Sequence, residues 1–222
     1  VGAIDAETLK PLLDEAFAGL PETAELTPVP DVEPKTGQTL TETMDVPQTA
    51  VRFGGPGLAR SDPDFIPGYV MNYVLGGGAF SSRLFEEIRE KRGLAYSVYS
   101  YLAPLDHSSV FGGGTATRAD RAEETVKLIR EEIARMAKDG PTETELEEAK
   151  AYLTGAYPLR FDSSASIAAQ LLSIQLEDLG IDYVDERNAM IEAVTLEDVK
   201  RAATRVLGQG EPTFVTVGPS GA

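Results

Sequence analysis

The chain of 222 residues contains no cysteine and a single histidine, His107. Without cysteine there are no disulfides and no thiolate ligands for a metal. Protein zinc sites use three or four nitrogen, sulfur or oxygen ligands, usually several of them His or Cys. One imidazole plus carboxylates is a poor set, so no catalytic zinc is expected from these residues alone. No run of ~18 apolar residues is present, which excludes a membrane-spanning helix in this sequence. Nor does it open with a basic-then-apolar leader, and that leaves the compartment open. Basic residues are in deficit: 20 Lys and Arg against 36 Asp and Glu give a net charge of −16. Nucleic-acid binding, which needs a basic face, is disfavoured. An acidic cavity would draw cationic peptides, whereas an acidic surface alone would serve solubility.

What is present suits a globular core, since 42% of the residues are hydrophobic and 25% charged. Residues 5–19 predict a helix, with Asp5 as its cap and Leu9, Leu12, Leu13, Ala16 and Phe17 at helical spacing. Pro21, Pro28, Pro30 and Pro34 then punctuate an extended linker over 21–37. Residues 1–37 hold eight acids and two lysines, a net −6 of the total −16. A lone helix ahead of a linker reads as the remnant of a preceding unit (residues 1–20), with one domain over 38–222.

Within 38–222, residues 38–45 and 48–54 predict strands around Pro47. A helix follows, capped by Ser61 with Pro63 and Asp64 in its first turn, and it stops at Gly76–Gly78. A second runs from about Ser82 to Arg92, with Gly93 as its C-cap. Residues 94–103 and 108–117 predict a hairpin around Pro104–His107. Helices over 119–139, 142–159, 164–179 and 183–193 come next; Thr142 and Glu145 form a capping box. Thr195 with Asp198 opens a last helix that Gly208 closes, before a strand 213–217 and a polar tail. This order predicts an α+β layer, a mixed and mainly antiparallel sheet with helices on one face.

Three features are candidates for chemistry. Free amides in Gly76-Gly77-Gly78 could cradle an anion or a peptide carbonyl, although neither a P-loop nor a dinucleotide fingerprint is complete. The run serves equally as a plain helix junction. Arg89, in the last turn of its helix, and Tyr96, just inside the next strand, flank the corner at Gly93. They can converge as donors to a carbonyl oxygen gaining negative charge; alternatively, Arg89 only satisfies helix-end carbonyls and Tyr96 packs in the sheet. Tyr96, Tyr99 and Tyr101 face Gly112-Gly113-Gly114 on the partner strand, where aromatic packing over glycine needs no ligand. His107, beside Asp106, reads as a surface histidine.

The run from Leu75 to Ser100, LGGGAFSSRLFEEIREKRGLAYSVYS, closely resembles the C-terminal half of M16 (pitrilysin and mitochondrial processing peptidase-like) zinc peptidases of bacterial type. The likeness extends to Gln48–Asp64, Phe111–Thr117, Leu153–Ser166 and Ala193–Ala202. Residues 1–20 resemble the end of the family's N-terminal half. The resemblance implies a LuxS/MPP-like metallohydrolase fold. It also implies a zinc bound by His-x-x-Glu-His in the other half or in a partner subunit, and this chain has no such motif. Arg89 and Tyr96 fall on the pair that holds and polarises substrate, and Gly76–Gly78 fall beside the substrate cleft. The expected partners are a peptide and a zinc-bearing M16 domain or subunit in a homo- or heterodimer. The compartment stays unknown, with a bacterial periplasm favoured over the cytoplasm. An inactive scaffold subunit of the same fold is the alternative, and a nucleotide- or anion-binding module a third.

Overall fold

The computed structural model describes residues 1–219; the last three residues of the expected polar tail lie outside the described residues. Helix α1 (Ala6–Phe17) begins where Asp5 accepts a hydrogen bond from the Thr8 backbone N–H at 2.8 Å. None of its residues is buried, so its apolar stripe contributes nothing to the core. The proline-rich stretch after it is extended and is tied down at intervals. Val32 donates to the His107 carbonyl at 2.8 Å, and Gly37 donates to the Glu211 carbonyl at 2.8 Å.

Five strands form one mixed sheet in the order β1-β5-β2-β4-β3: β1 (Thr39–Thr43), β2 (Thr49–Pro56), β3 (Ala95–Leu105), β4 (Ser108–Thr117) and β5 (Thr213–Gly218). Only β1 and β5 run parallel. Although β1 and β2 are consecutive, they do not pair, because β5 lies between them. Alternation along β2 turns Val51 and Phe53 inward. Phe53 stacks on Phe214 at 5.6 Å between ring centroids and tilts against Phe111 at 6.1 Å. Gly113 lies under the Phe53 ring, where a Cβ would come within 2.2 Å. Tyr101 covers Gly112 and the Arg52 side chain covers Gly114, so the glycine stripe of β4 is explained by close packing.

Helices pack on that apolar face. They are α2 (Phe65–Asn72), the single turn α3 (Arg83–Phe85), α4 (Ala122–Asp139), α5 (Glu143–Gly155), α6 (Ser164–Leu176), α7 (Tyr183–Glu192) and α8 (Leu196–Leu207). Val70, Met71, Ile129, Ile133, Met136, Val199 and Ala203 join the sheet residues in one core. The capping boxes at Thr142/Glu145 and Thr195/Asp198 are both formed.

The expected cap at Ser61 is not. Helix α2 starts at Phe65, because Asp62 and Asp64 serve another purpose. The buried Asp64 accepts from Arg201 at 2.8 Å and Arg205 at 3.0 Å, and Asp62 accepts from Arg205 at 2.6 Å. These bonds clamp the entry of α2 onto α8.

A second clamp sets α3. The buried Arg83 donates to both Glu145 carboxylate oxygens, at 2.6 and 2.7 Å, and to the Gly140 carbonyl at 3.0 Å. Burial pushes the Glu145 carboxyl up, but bonds from Arg83 and from the Thr142 backbone N–H outweigh it and hold the group at about 2. A carboxylate depressed from 4.5 to about 2 adds stability that is full above its unfolded value and is lost as pH falls through the folded one. That difference corresponds to ~3 kcal/mol. Glu145→Gln is therefore expected to lower stability at neutral pH by ~3 kcal/mol. The gap to the unaltered chain should close as pH approaches about 2. Urea midpoints measured across that range check this, and a gap independent of pH would contradict it.

Candidate functional site

Between α2 and β3 the chain makes two π turns, Tyr73–Gly77 and Glu86–Glu90. Such i→i+5 turns are rare and often occur at functional sites. The glycines of the first are there because there is no room for a side chain. A Cβ on Gly76 would lie 2.6 Å from Ser100 Oγ and 2.7 Å from Ser100 N, and one on Gly77 would lie 2.6 Å from Asn72 Nδ2. Ser100 Oγ in turn donates to Asn72 Oδ1 at 2.7 Å, which fastens β3 to the end of α2. The Gly78 N–H is taken by the Tyr73 carbonyl at 2.8 Å. This glycine run is a packed turn against a strand, and that geometry speaks against an open cradle of amides. Ala79, next in sequence, has φ of +45°, a left-handed conformation that costs a non-glycine residue on the order of 1 kcal/mol.

Arg89 lies in the second π turn. Its basic neighbours are occupied: Lys91 and Arg92 both bind the Glu87 carboxylate, and Arg92 also takes the Glu87 carbonyl at 2.9 Å. The bonds from Lys91 and then Arg92 hold the Glu87 carboxyl below its usual range. Arg92, not Arg89, therefore satisfies the helix end. The nearest carboxylate to Arg89 is that of Glu90, at 3.8 Å. The guanidinium carbon of Arg89 sits 4.8 Å from the Tyr96 ring centroid, 4.7 Å from Phe85 and 5.6 Å from Phe80. Cation–π attraction at such distances holds a guanidinium against aromatic faces.

The route from Arg89 to Tyr96 is a tight corner. Gly93 has φ of +60°; its N–H donates to the Arg89 carbonyl at 2.9 Å, and Leu94 N–H to Ile88 at 2.9 Å. Strand β3 then carries a bulge between Ala95 and Val98. Thr117 Oγ1 and Thr115 Oγ1 brace it by donating to the Leu94 and Ser97 carbonyls, each at 2.6 Å. Bulges re-aim side chains, and Tyr96 stands in this one with 83% of its surface exposed. Gly76, Gly77, Phe80, Arg89, Tyr96 and Ser100 line a 280 Å³ cleft. The two residues singled out from sequence thus meet; Gly76 and Gly77 border the same cleft, and Gly78 does not line it.

The bulge, both π turns and the exposed Phe80 were not read from sequence. Bulges and π turns have no residue signature comparable with a capping box. His107 is exposed, with Nδ1 3.1 Å from Asp31 Oδ1, where it anchors the linker. Among the described residues no three His, Cys, Asp or Glu side chains are grouped to hold a metal, so the donor set does not fit zinc.

The family model described as the peptidase M16 inactive domain matches residues 1–153. An uncharacterized zinc protease of Streptomyces coelicolor is 37% identical over 175 residues, 78% of this chain and 37% of that protein. A Helicobacter pylori protein named a non-peptidase homolog is 37% identical over 125 residues, 55% of this chain and 28% of that protein. The crystal structure of a peptidase M16 inactive domain from Pseudomonas fluorescens matches with a TM-score of 0.87 at 30% identity. That match covers 99% of this chain and 52% of the other. The chain therefore spans less than two thirds of each of these proteins.

Substitutions at two glycines separate the forces that shape the cleft. Gly93→Ala meets open space, so its cost is the backbone strain alone, on the order of 1 kcal/mol. Gly93→Asn should recover part of that. Gly76→Ala drives a methyl into Ser100 and should cost more, up to ~3 kcal/mol by overpacking. Chemical denaturation of the three variants orders them, and a Gly76→Ala chain as stable as the unaltered one would contradict the packing account.

Proposed function

Since the chain belongs to the peptidase M16 inactive-domain family and is a C-terminal, non-catalytic M16 half, we propose that it is the substrate-holding part of a zinc metallopeptidase. The zinc is expected in another domain or a partner subunit, because the donor set here does not fit a metal. The contribution of this chain is the Arg89–Tyr96 pair. The observation that carries the reading is the stacking of Arg89 under the ring of Tyr96 at 4.8 Å, with that ring exposed at the mouth of a cleft.

A phenol fixed in this way presents its O–H to a peptide carbonyl entering the cleft. The ring is held by its face, so little reorganisation is needed as charge builds on the carbonyl oxygen. Phe80 and Phe85 flank the guanidinium and shield it from water on two sides. Shielding strengthens its field at the carbonyl. The exposed Phe80, 75% accessible, offers apolar surface to a peptide side chain.

The relative named a non-peptidase homolog favours a second reading, a scaffold subunit that keeps the fold without a substrate role. One experiment separates the two. The chain is assembled with a zinc-bearing M16 half, and peptide cleavage is followed for the unaltered chain and for Tyr96→Phe. Loss of an oxyanion donor should lower kcat on the order of 10²-fold with KM little changed. Equal rates would favour the scaffold.

A further inference from the structure

A second, larger cavity of 430 Å³ shares Gly77 and Ser100 with the Arg89–Tyr96 cleft and opens between α2, β3, α6 and α7. Its volume is within the range of small-ligand sites. Its charge runs against that of the chain. Arg60, Arg160 and Arg187 line it, and Glu177 is the one carboxylate among the lining residues. Glu177 is taken by Arg60 at 2.6 Å, and Arg60 also donates to Tyr183 Oη at 2.7 Å.

Arg187 has no such partner. It is 5% exposed, and its Nη1 donates to the Leu153 carbonyl and to Asn188 Oδ1, each at 3.1 Å. Both acceptors are uncharged, and among the described residues no carboxylate pairs with it. Its guanidinium lies 4.2 Å from the centroid of the Tyr157 ring. Tyr157 is itself 6% exposed, and its hydroxyl is buried with no hydrogen-bond partner among the described residues. A buried cation without a counter-ion and a buried hydroxyl without an acceptor are each costly, and natural folds seldom keep either without reason. Here they stand together on one wall.

We propose that this cavity is a subsite for a carboxylate carried by a peptide, either its C-terminus or an Asp or Glu side chain. Tyr157 and Arg187 are the donors, and the exposed Arg160 at the rim draws the anion in. Ile66, Tyr69, Leu102 and Ile174 give the wall an aromatic and aliphatic patch, with the uncharged polar Gln170 and Ser173 beside it. Apolar surface beside the two donors suits a charged group carried on an organic body, and competition with inorganic phosphate separates it from a free phosphate site. The peptide part of the assignment rests on the reading of the adjoining cleft given above.

The test is binding of labelled peptides to the full chain, without zinc or turnover. Peptides with a free or amidated C-terminus identify one source of the carboxylate, and Glu against Gln at internal positions identifies the other. An acid form should bind at least about tenfold more tightly than its neutral counterpart. Tyr157→Phe keeps the ring on Arg187 and removes only the orphaned hydroxyl, so it should melt no lower than the unaltered chain. Its affinity for the acid form should nevertheless fall about tenfold. Arg160→Gln should weaken binding severalfold, more at low salt than at high. Equal binding of acid and neutral peptides, no effect of Tyr157→Phe, or competition by acetate or inorganic phosphate as strong as by any peptide would each overturn the proposal. Unaltered acid binding in a chain whose Tyr96→Phe variant shows no catalytic defect would sink the oxyanion reading alone.

Discussion

The contact of Gly76 with the backbone of Ser100 fixes where everything functional lies. Because no side chain intervenes, the end of α2 comes down onto β3 at the separation of two bare backbones. The buried Asn72–Ser100 hydrogen bond locks that approach, since breaking it would strand polar groups away from water. The chain must then turn within a few residues, and it does so by widening into a π turn. Cleft and cavity open on either hand of this seam, with Gly77 and Ser100 common to both. One steric requirement thus places two recessed surfaces beside each other.

Charge pairing does the complementary work of deciding which arginines are free. Arg83, Arg201 and Arg205 are consumed in clamps between helices, while Lys91 and Arg92 are consumed by Glu87. Arg89 keeps only the long contact to Glu90 at 3.8 Å and Arg187 has no carboxylate partner among the described residues; both face aromatic rings instead. Stacking keeps such a guanidinium ordered while leaving its hydrogen-bond donors for something else.

Much of this architecture was legible in the residues. Asp5, Thr142 and Thr195 announced helix starts because a side-chain oxygen must meet orphan amides there, and all three cap as expected. Gly93 marked the corner because the chain needs a positive φ. The alternating strands and their α+β order were equally plain; the corner allowed Arg89 and Tyr96 to converge, but only the family resemblance singled them out. Ser61 misled, since the local preference of Asp62 and Asp64 for a helix start lost to distant arginines on α8. The bulge that turns Tyr96 outward was hidden because it depends on cross-strand bracing by Thr115 and Thr117. The Arg187–Tyr157 wall was hidden for the same reason, its members being 30 residues apart on a turn and a helix.

The place of β5 in the sheet bears on how the molecule comes into being. Strands β1 and β2 leave the ribosome well before residues 213–218, the strand that bridges them in the finished sheet. Until then Phe53 lacks the ring of Phe214, and β1 has no strand beside it. Closure of the sheet therefore waits for a strand made after all the helices between β2 and β5, a contact of long sequence separation. A nascent chain stalled short of that strand would carry a split sheet with two raw edges.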